Sequence, residues 1–121
     1  MGRFREATIQ RTDDFSHRMV DVAEAIERKG RSRRVVDQMF GCGTSVGANI
    51  CEADEAVSRP DFAKTLGIVL KELNECRFWL RFVARRGWVK AQQLESLQTE
   101  AVELKRIFGA MFTRTRRSKP S

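Results

Sequence analysis

The sequence predicts an all-α protein, an antiparallel up-down four-helix bundle. Apolar residues recur at alternating steps of three and four through four separate segments, and the connections between those segments are short. Composition agrees: 121 residues contain only two prolines and no tyrosine, while Ala, Leu, Arg, Glu and Lys are plentiful, a balance that favours helix over strand. A chain of this length builds one core. Residues 1–113 are expected to form the bundle and residues 114–121 a basic C-terminal tail.

The first helix is expected near residues 12–29. Phe15, Met19, Val22 and Ile26 fall on one helical face. Thr12 suits the N-cap, Asp13 and Asp14 suit the positive end of the helix dipole, and Arg28, Lys29 and Gly30 supply a basic last turn and a stop.

The second helix, near 32–56, must account for three glycines, Gly41, Gly43 and Gly47, spaced G-x-G-x-x-x-G. A phosphate-binding loop of that appearance needs a β-strand before it and a strand–helix–strand unit around it. Residues 31–40 lack alternation, and no Gly-Lys-Ser/Thr follows. Val35, Met39, Cys42, Val46, Ile50 and Ala53 instead carry the helical period straight through the glycines. A glycine inside a helix costs about 1 kcal/mol relative to alanine, and close helix–helix approach at Gly43 and Gly47 offsets that cost.

The third helix, near 59–86, starts at Ser58-Arg-Pro-Asp, a capping-box-like sequence with proline in the first turn. Phe62, Leu66, Val69, Leu73, Cys76, Leu80 and Val83 form its buried face, and Gly87 ends it. In the fourth helix, near 90–112, Leu94, Leu97, Ala101, Leu104, Phe108 and Met111 repeat like a coiled-coil seam.

Little in this pattern supports catalysis. The single histidine, His17, lies off the apolar face, so the two Glu-x-x-His motifs of a di-iron bundle are ruled out. A serine or cysteine nucleophile would need a histidine base within reach, or an unusual substitute such as lysine. No catalytic residue, metal site or cofactor is expected. Cys42, Cys51 and Cys76 have no C-x-x-C spacing and read as reduced, buried thiols. With no apolar run long enough to cross a bilayer and no secretory signal visible, no membrane association is expected and the cytoplasm is the expected compartment.

Charge is the stronger signal. Lys and Arg number 23 against 16 Asp and Glu, a net charge of +7. In an up-down bundle the first and third connections share an end, which gathers Arg28, Lys29, Arg31, Arg33, Arg34, Arg85, Arg86 and Lys90. Two or three cations would complement helix C-termini; eight suggest a polyanion, and RNA or DNA bound through its backbone without base reading is the expected ligand. The opposite end is expected to hold Asp13, Asp14, Glu52, Asp54, Glu55 and Asp61, with Arg114, Arg116, Arg117 and Lys119 of the tail.

Two further groups lie off the core stripes. Phe78 and Phe82, flanked by Arg77, Arg81 and Arg85, suggest an oligomer interface, with base stacking as the alternative. Gln38, Ser45, Asn49 and Glu52 form a polar seam on helix two, expected to hydrogen-bond across an interface to groups such as Glu72 or Arg77, or else to line a functional pocket.

The stretch Ser45-Val-Gly-Ala-Asn-Ile-Cys-Glu-Ala53 resembles the S-x-x-x-N-I-A-E-G signature of the bacterial four helix bundle protein family. Similar matches follow in order at residues 58–62, 70–73, 78–80, 100–104 and Ile107. That family includes proteins encoded in intervening sequences of large-subunit rRNA genes. It is related to the accessory variability determinant proteins of diversity-generating retroelements. The resemblance implies a ring-like homopentamer without enzymatic activity and, by way of the retroelement relatives, binding to nucleic acid and a reverse transcriptase. Cys51 and Ala53 depart from the signature's Ala and Gly, so helix two is expected to run on to about Ala56. The function that emerges is a non-enzymatic, oligomeric, basic bundle acting as an accessory to an RNA- or DNA-handling machine. The alternative is a protein–protein interaction module docking an acidic partner.

Overall fold

The computed structural model describes residues 2–117. Four helices run α1 Glu6–Arg28, α2 Arg33–Asp54, α3 Arg59–Arg85 and α4 Ala91–Arg117, and the described residues contain no strand. Each helix packs most extensively on its neighbour in sequence, and α1 also meets α4, more sparsely. No helix among the described residues is long and apolar enough to cross a membrane.

The helices meet on one core. Phe15, Met19, Ala23 and Ile26 of α1 face Met39, Val46 and Ile50 of α2, Leu66, Leu73 and Leu80 of α3, and Leu104 and Phe108 of α4, all essentially inaccessible to solvent. Burial of each large side chain contributes about 1.5–3 kcal/mol. Val22 is only partly buried, and Ala23 occupies the core position the spacing assigned to it.

The termini differ from expectation. α1 begins at Glu6 rather than near residue 12, and Thr12 is buried mid-helix with its hydroxyl donating to the Thr8 carbonyl, 2.6 Å. The cause is long-range. Asp54, at the end of α2, accepts from the Arg3 and Phe4 N–H groups at 2.6 and 2.7 Å. The Phe4 ring then stacks edge-on against Phe108 and tilts against Phe62, centroids 5.8 and 5.6 Å apart. This staple holds the chain just ahead of α1, and the helix extends to meet it. Asp13 and Asp14 therefore stand well inside α1 and do not mark its start.

α2 stops at Asp54, before Ala56. The Glu55 and Ala56 N–H groups bond to the Glu52 and Ala53 carbonyls three residues back, both 3.1 Å, which tightens the last turn. Ser58 then caps α3, its Oγ accepting from the Asp61 N–H at 3.2 Å. α4 continues past residue 112 to Arg117, so Arg114, Arg116 and Arg117 belong to the helix and not to a separate tail. Partial burial of Phe112 explains the extension: its ring packs toward Gly67, and the Arg116 guanidinium lies over it, 5.4 Å from the centroid. Lys119 and the rest of 118–121 lie outside the described residues.

Gly43 and Gly47 lie where α1 approaches α2. A methyl on Gly43 would fall on Met19 Cβ, and one on Gly47 would stand 2.7 Å from Ser16 Oγ. Ser16 exploits the bare backbone: its hydroxyl donates to the Gly43 carbonyl at 2.7 Å and accepts from the Gly47 N–H at 3.0 Å. Gly41 faces open space.

Candidate nucleic-acid interface

Two helix ends of the same design build the basic end. At the end of α1, Gly30 takes φ 70°, the Gly30 N–H bonds to the Glu27 carbonyl at 2.9 Å and the Arg31 N–H bonds to the Ile26 carbonyl at 3.1 Å. At the end of α3, Gly87 takes φ 73°, and the Gly87 and Trp88 N–H groups bond to the Ala84 and Val83 carbonyls, both 3.0 Å. This is the Schellman arrangement, which needs a left-handed residue and so favours glycine.

The two turns touch each other. Lys29 Nζ donates to the Trp88 carbonyl at 2.6 Å, and the Arg31 guanidinium lies over the Trp88 ring, 5.7 Å from its centroid. Both interactions tie the α1–α2 connection to the α3–α4 connection, so Arg28, Lys29, Arg31, Arg33, Arg34, Arg85, Arg86 and Lys90 share one end, and all are exposed. They are not equivalent. Arg33 is neutralised by Glu27 at 2.7 Å and Asp37 at 3.8 Å. Lys29 and Arg31 hold the turns together. Arg28, Arg34, Arg85, Arg86 and Lys90 have no ion-pair partner among the described residues.

An aromatic cluster lies beside this end. Phe82 contacts Trp79 and Trp88 edge-on, with centroids 5.5 and 5.9 Å apart, and is partly buried. Phe78 packs on Trp79 at 4.9 Å yet remains 48% exposed. The two phenylalanines thus divide: Phe82 anchors the α3–α4 turn, and Phe78 presents apolar surface.

The polar seam on α2 closes on itself. Asn49 Nδ2 donates to both the carbonyl and the hydroxyl of Ser45, each at 2.9 Å, while Gln38 and Glu52 are exposed. None of the four bonds to Glu72 or Arg77, because a partner one turn away on the same helix satisfies the Asn49 amide. Glu72 itself is half-buried on α3. Burial, with the nearby Glu75 charge, raises its carboxyl above the ordinary range.

The candidate chemical groups are dispersed. His17 is exposed beside Asp13, 3.8 Å away. Among the described residues no group of three or more His, Cys, Asp or Glu is placed to hold a metal ion. Cys42 and Cys76 are buried, and contact with Cys42 and desolvation push the Cys76 thiol far up, which keeps it protonated. Cys51 is exposed, contrary to expectation, because it falls on the outer face of α2, next to core residue Ile50 in sequence but turned away from the core.

Sequence reasoning missed the Ser16 bridge and the Asp54 staple. Thr12 and Ser16, small residues one turn apart on α1, were the signal for the first. Nothing local marks the second, since Asp54 acts on a segment about fifty residues away in sequence.

A small all-α bundle with a cation-rich turn end and a half-exposed aromatic edge is the class these features define. Within that class, the chain belongs to the 23S rRNA-intervening sequence protein family, which residues 7–110 match. It is also similar to the solved structure of a protein of unknown function from the S23 ribosomal protein family of Bacteroides thetaiotaomicron. The two are 30% identical and superpose with a TM-score of 0.82, covering 87% of this chain and 97% of that one. No match is found among curated proteins.

Proposed function

We propose that this protein is a non-enzymatic nucleic-acid-binding bundle that grips the phosphate backbone through its basic turn end, without sequence specificity. In this role it serves as an accessory to an RNA- or DNA-handling machine. The observation that carries this reading is the convergence of two Schellman turns. Lys29 and Arg31 are spent on Trp88, while Arg28, Arg34, Arg85, Arg86 and Lys90 stand exposed, with no ion-pair partner among the described residues, on one surface. Five uncompensated cations exceed what two helix C-termini require, and phosphate contacts release counterions in proportion to their number. Assembly as a ring-like homopentamer would repeat this surface and multiply its field. The half-exposed Phe78 supports association, and the pentamer itself rests on the family resemblance.

The test is fluorescence anisotropy against duplex DNA and structured RNA over a range of salt. For Arg34→Gln/Arg86→Gln, the slope of log affinity against log salt on duplex DNA should fall by about 0.9 for each phosphate left without its cation. Truncation after Thr113 should leave most of the affinity, since Arg114, Arg116 and Arg117 lie at the other end of the molecule. Wild type that fails to bind at low salt would instead favour docking of an acidic protein partner.

A further inference from the structure

The basic end does not stop at the turns. Arg77, Arg81 and Arg85 stand at successive turns of α3 and line a continuous surface groove between α3 and α4. Arg77 and Arg81 face Gln98, Thr99 and Val102 across it, and Arg81 and Arg85 face Glu95 and Gln98 nearer the turn. None of the three arginines has an ion-pair partner among the described residues, and Glu95, the one acid lining the groove there, pairs with none of them.

Three arginines elsewhere on the bundle do find acidic partners. Arg11 is held by Glu100, Arg33 by Glu27 and Asp37, and Arg106 by Glu103. Like charges one turn apart on a helix destabilise it, so an uncompensated run of three is costly to the free protein. An anion lying along the groove would remove that cost. The opposite wall, with Gln98 and Thr99, offers neutral hydrogen-bonding groups of the kind that accompany arginine in phosphate contacts.

We infer that the α3–α4 groove is a track for one extended nucleic-acid strand, with successive phosphates on Arg85, Arg81 and Arg77. The inference rests on the nucleic-acid reading proposed above and adds to it the form of the ligand. Residues four apart on a helix are separated by about 6 Å along its axis, which gives a straight, evenly spaced row of cations. The row borders the seam between two packed helices whose axes stand about 8–10 Å apart, with Arg81 and Arg85 exposed and Arg77 half-buried. A strand free of its complement is flexible enough to lay successive phosphates along such a straight row, whereas each backbone of a duplex curves away around the duplex axis. Positively charged grooves that track a backbone are the common means of holding single strands. At its upper end the row runs into Arg86 and Lys90, so a strand leaving the groove arrives at the turn surface.

The experiment uses the full chain, a fluorescein-labelled oligouridylate of about twelve nucleotides, within the range of single-strand site sizes, the matching oligothymidylate and a duplex of equal length, each titrated over a range of salt. Arg77→Gln/Arg81→Gln should weaken binding of both single strands by at least about tenfold at low salt, and lower their salt slope by about 1.4, roughly 0.7 for each phosphate contact. Duplex affinity should change little. Arg34→Gln/Arg86→Gln should weaken duplex and single strand together. An Arg77→Gln/Arg81→Gln variant that binds single strands like wild type overturns the track while leaving the turn surface standing. Wild type that binds neither form removes the nucleic-acid reading and the track with it. Light scattering on Arg77→Gln/Arg81→Gln supplies the remaining check: a changed mass makes the groove a subunit contact and overturns the track, and an unchanged mass with weakened strand binding supports it.

Discussion

The single hydroxyl of Ser16 shows how much one residue can decide. It occupies the space that a side chain on Gly47 would need and completes two hydrogen bonds to the α2 backbone. The three glycines of α2 therefore have different roles. Gly41→Ala meets nothing and gains helix propensity, so it should stabilise by about 0.5–1 kcal/mol. Gly43→Ala presses a methyl onto Met19 Cβ, an atom one bond from the backbone that cannot swing away; overpacking of about 1–3 kcal/mol outweighs the propensity gain. Gly47→Leu should be at least as destabilising and disrupt the Ser16 bridge. Urea denaturation of the three variants provides the comparison. Equal shifts for Gly41→Ala and Gly43→Ala would mean that α1 does not approach α2 through the glycines.

At the scale of elements, the bundle is closed by few but specific links. α1 and α4 meet sparsely, and Arg11 spans them with a two-pronged bond to Glu100 at 2.7 and 2.9 Å. The start of α1 depends on the far end of α2, because the N-cap Arg5 contributes no side-chain bond and Asp54 takes the preceding amides. Asp54→Ala should cost about 1–2 kcal/mol, comparable to removal of a helix cap. The damage should be local: amide hydrogen exchange should accelerate over residues 6–9 while the core of α3 stays protected. Uniform acceleration across all four helices would mean that Asp54 supports the whole fold and not the entry to α1. Most of the helical framework was legible in the spacing of apolar residues, including the stops at Gly30 and Gly87. The early start of α1 was not, because Thr12, Asp13 and Asp14 form a credible local cap and the competing interaction comes from residues distant in sequence.

For the whole molecule, the separation of Phe78 from Phe82 bears on assembly. Phe82 is part of the turn's aromatic support, whereas Phe78 leaves half its surface in solvent, beside Arg77 in sequence. A homo-oligomer that covers Phe78 should dissociate when that residue becomes charged. Phe78→Glu should lower the mass seen by light scattering at micromolar concentration with little change in helical circular dichroism, and Phe82→Glu should reduce thermal stability as well. An unchanged mass in Phe78→Glu places the subunit interface elsewhere on the surface, and a monomeric wild type removes the ring. Apolar periodicity, the two glycine stops and the Ser58 cap were enough to determine four helices and the collection of cations at one end. Each is a local property, and short connections leave few ways to pack such segments. Which of those cations remain unpaired, which aromatic stays in solvent and where α1 begins were decided only by tertiary structure. Those outcomes depend on Trp88 and Asp54 meeting groups far away in sequence, and apolar spacing along a chain carries no record of which distant polar groups will find each other.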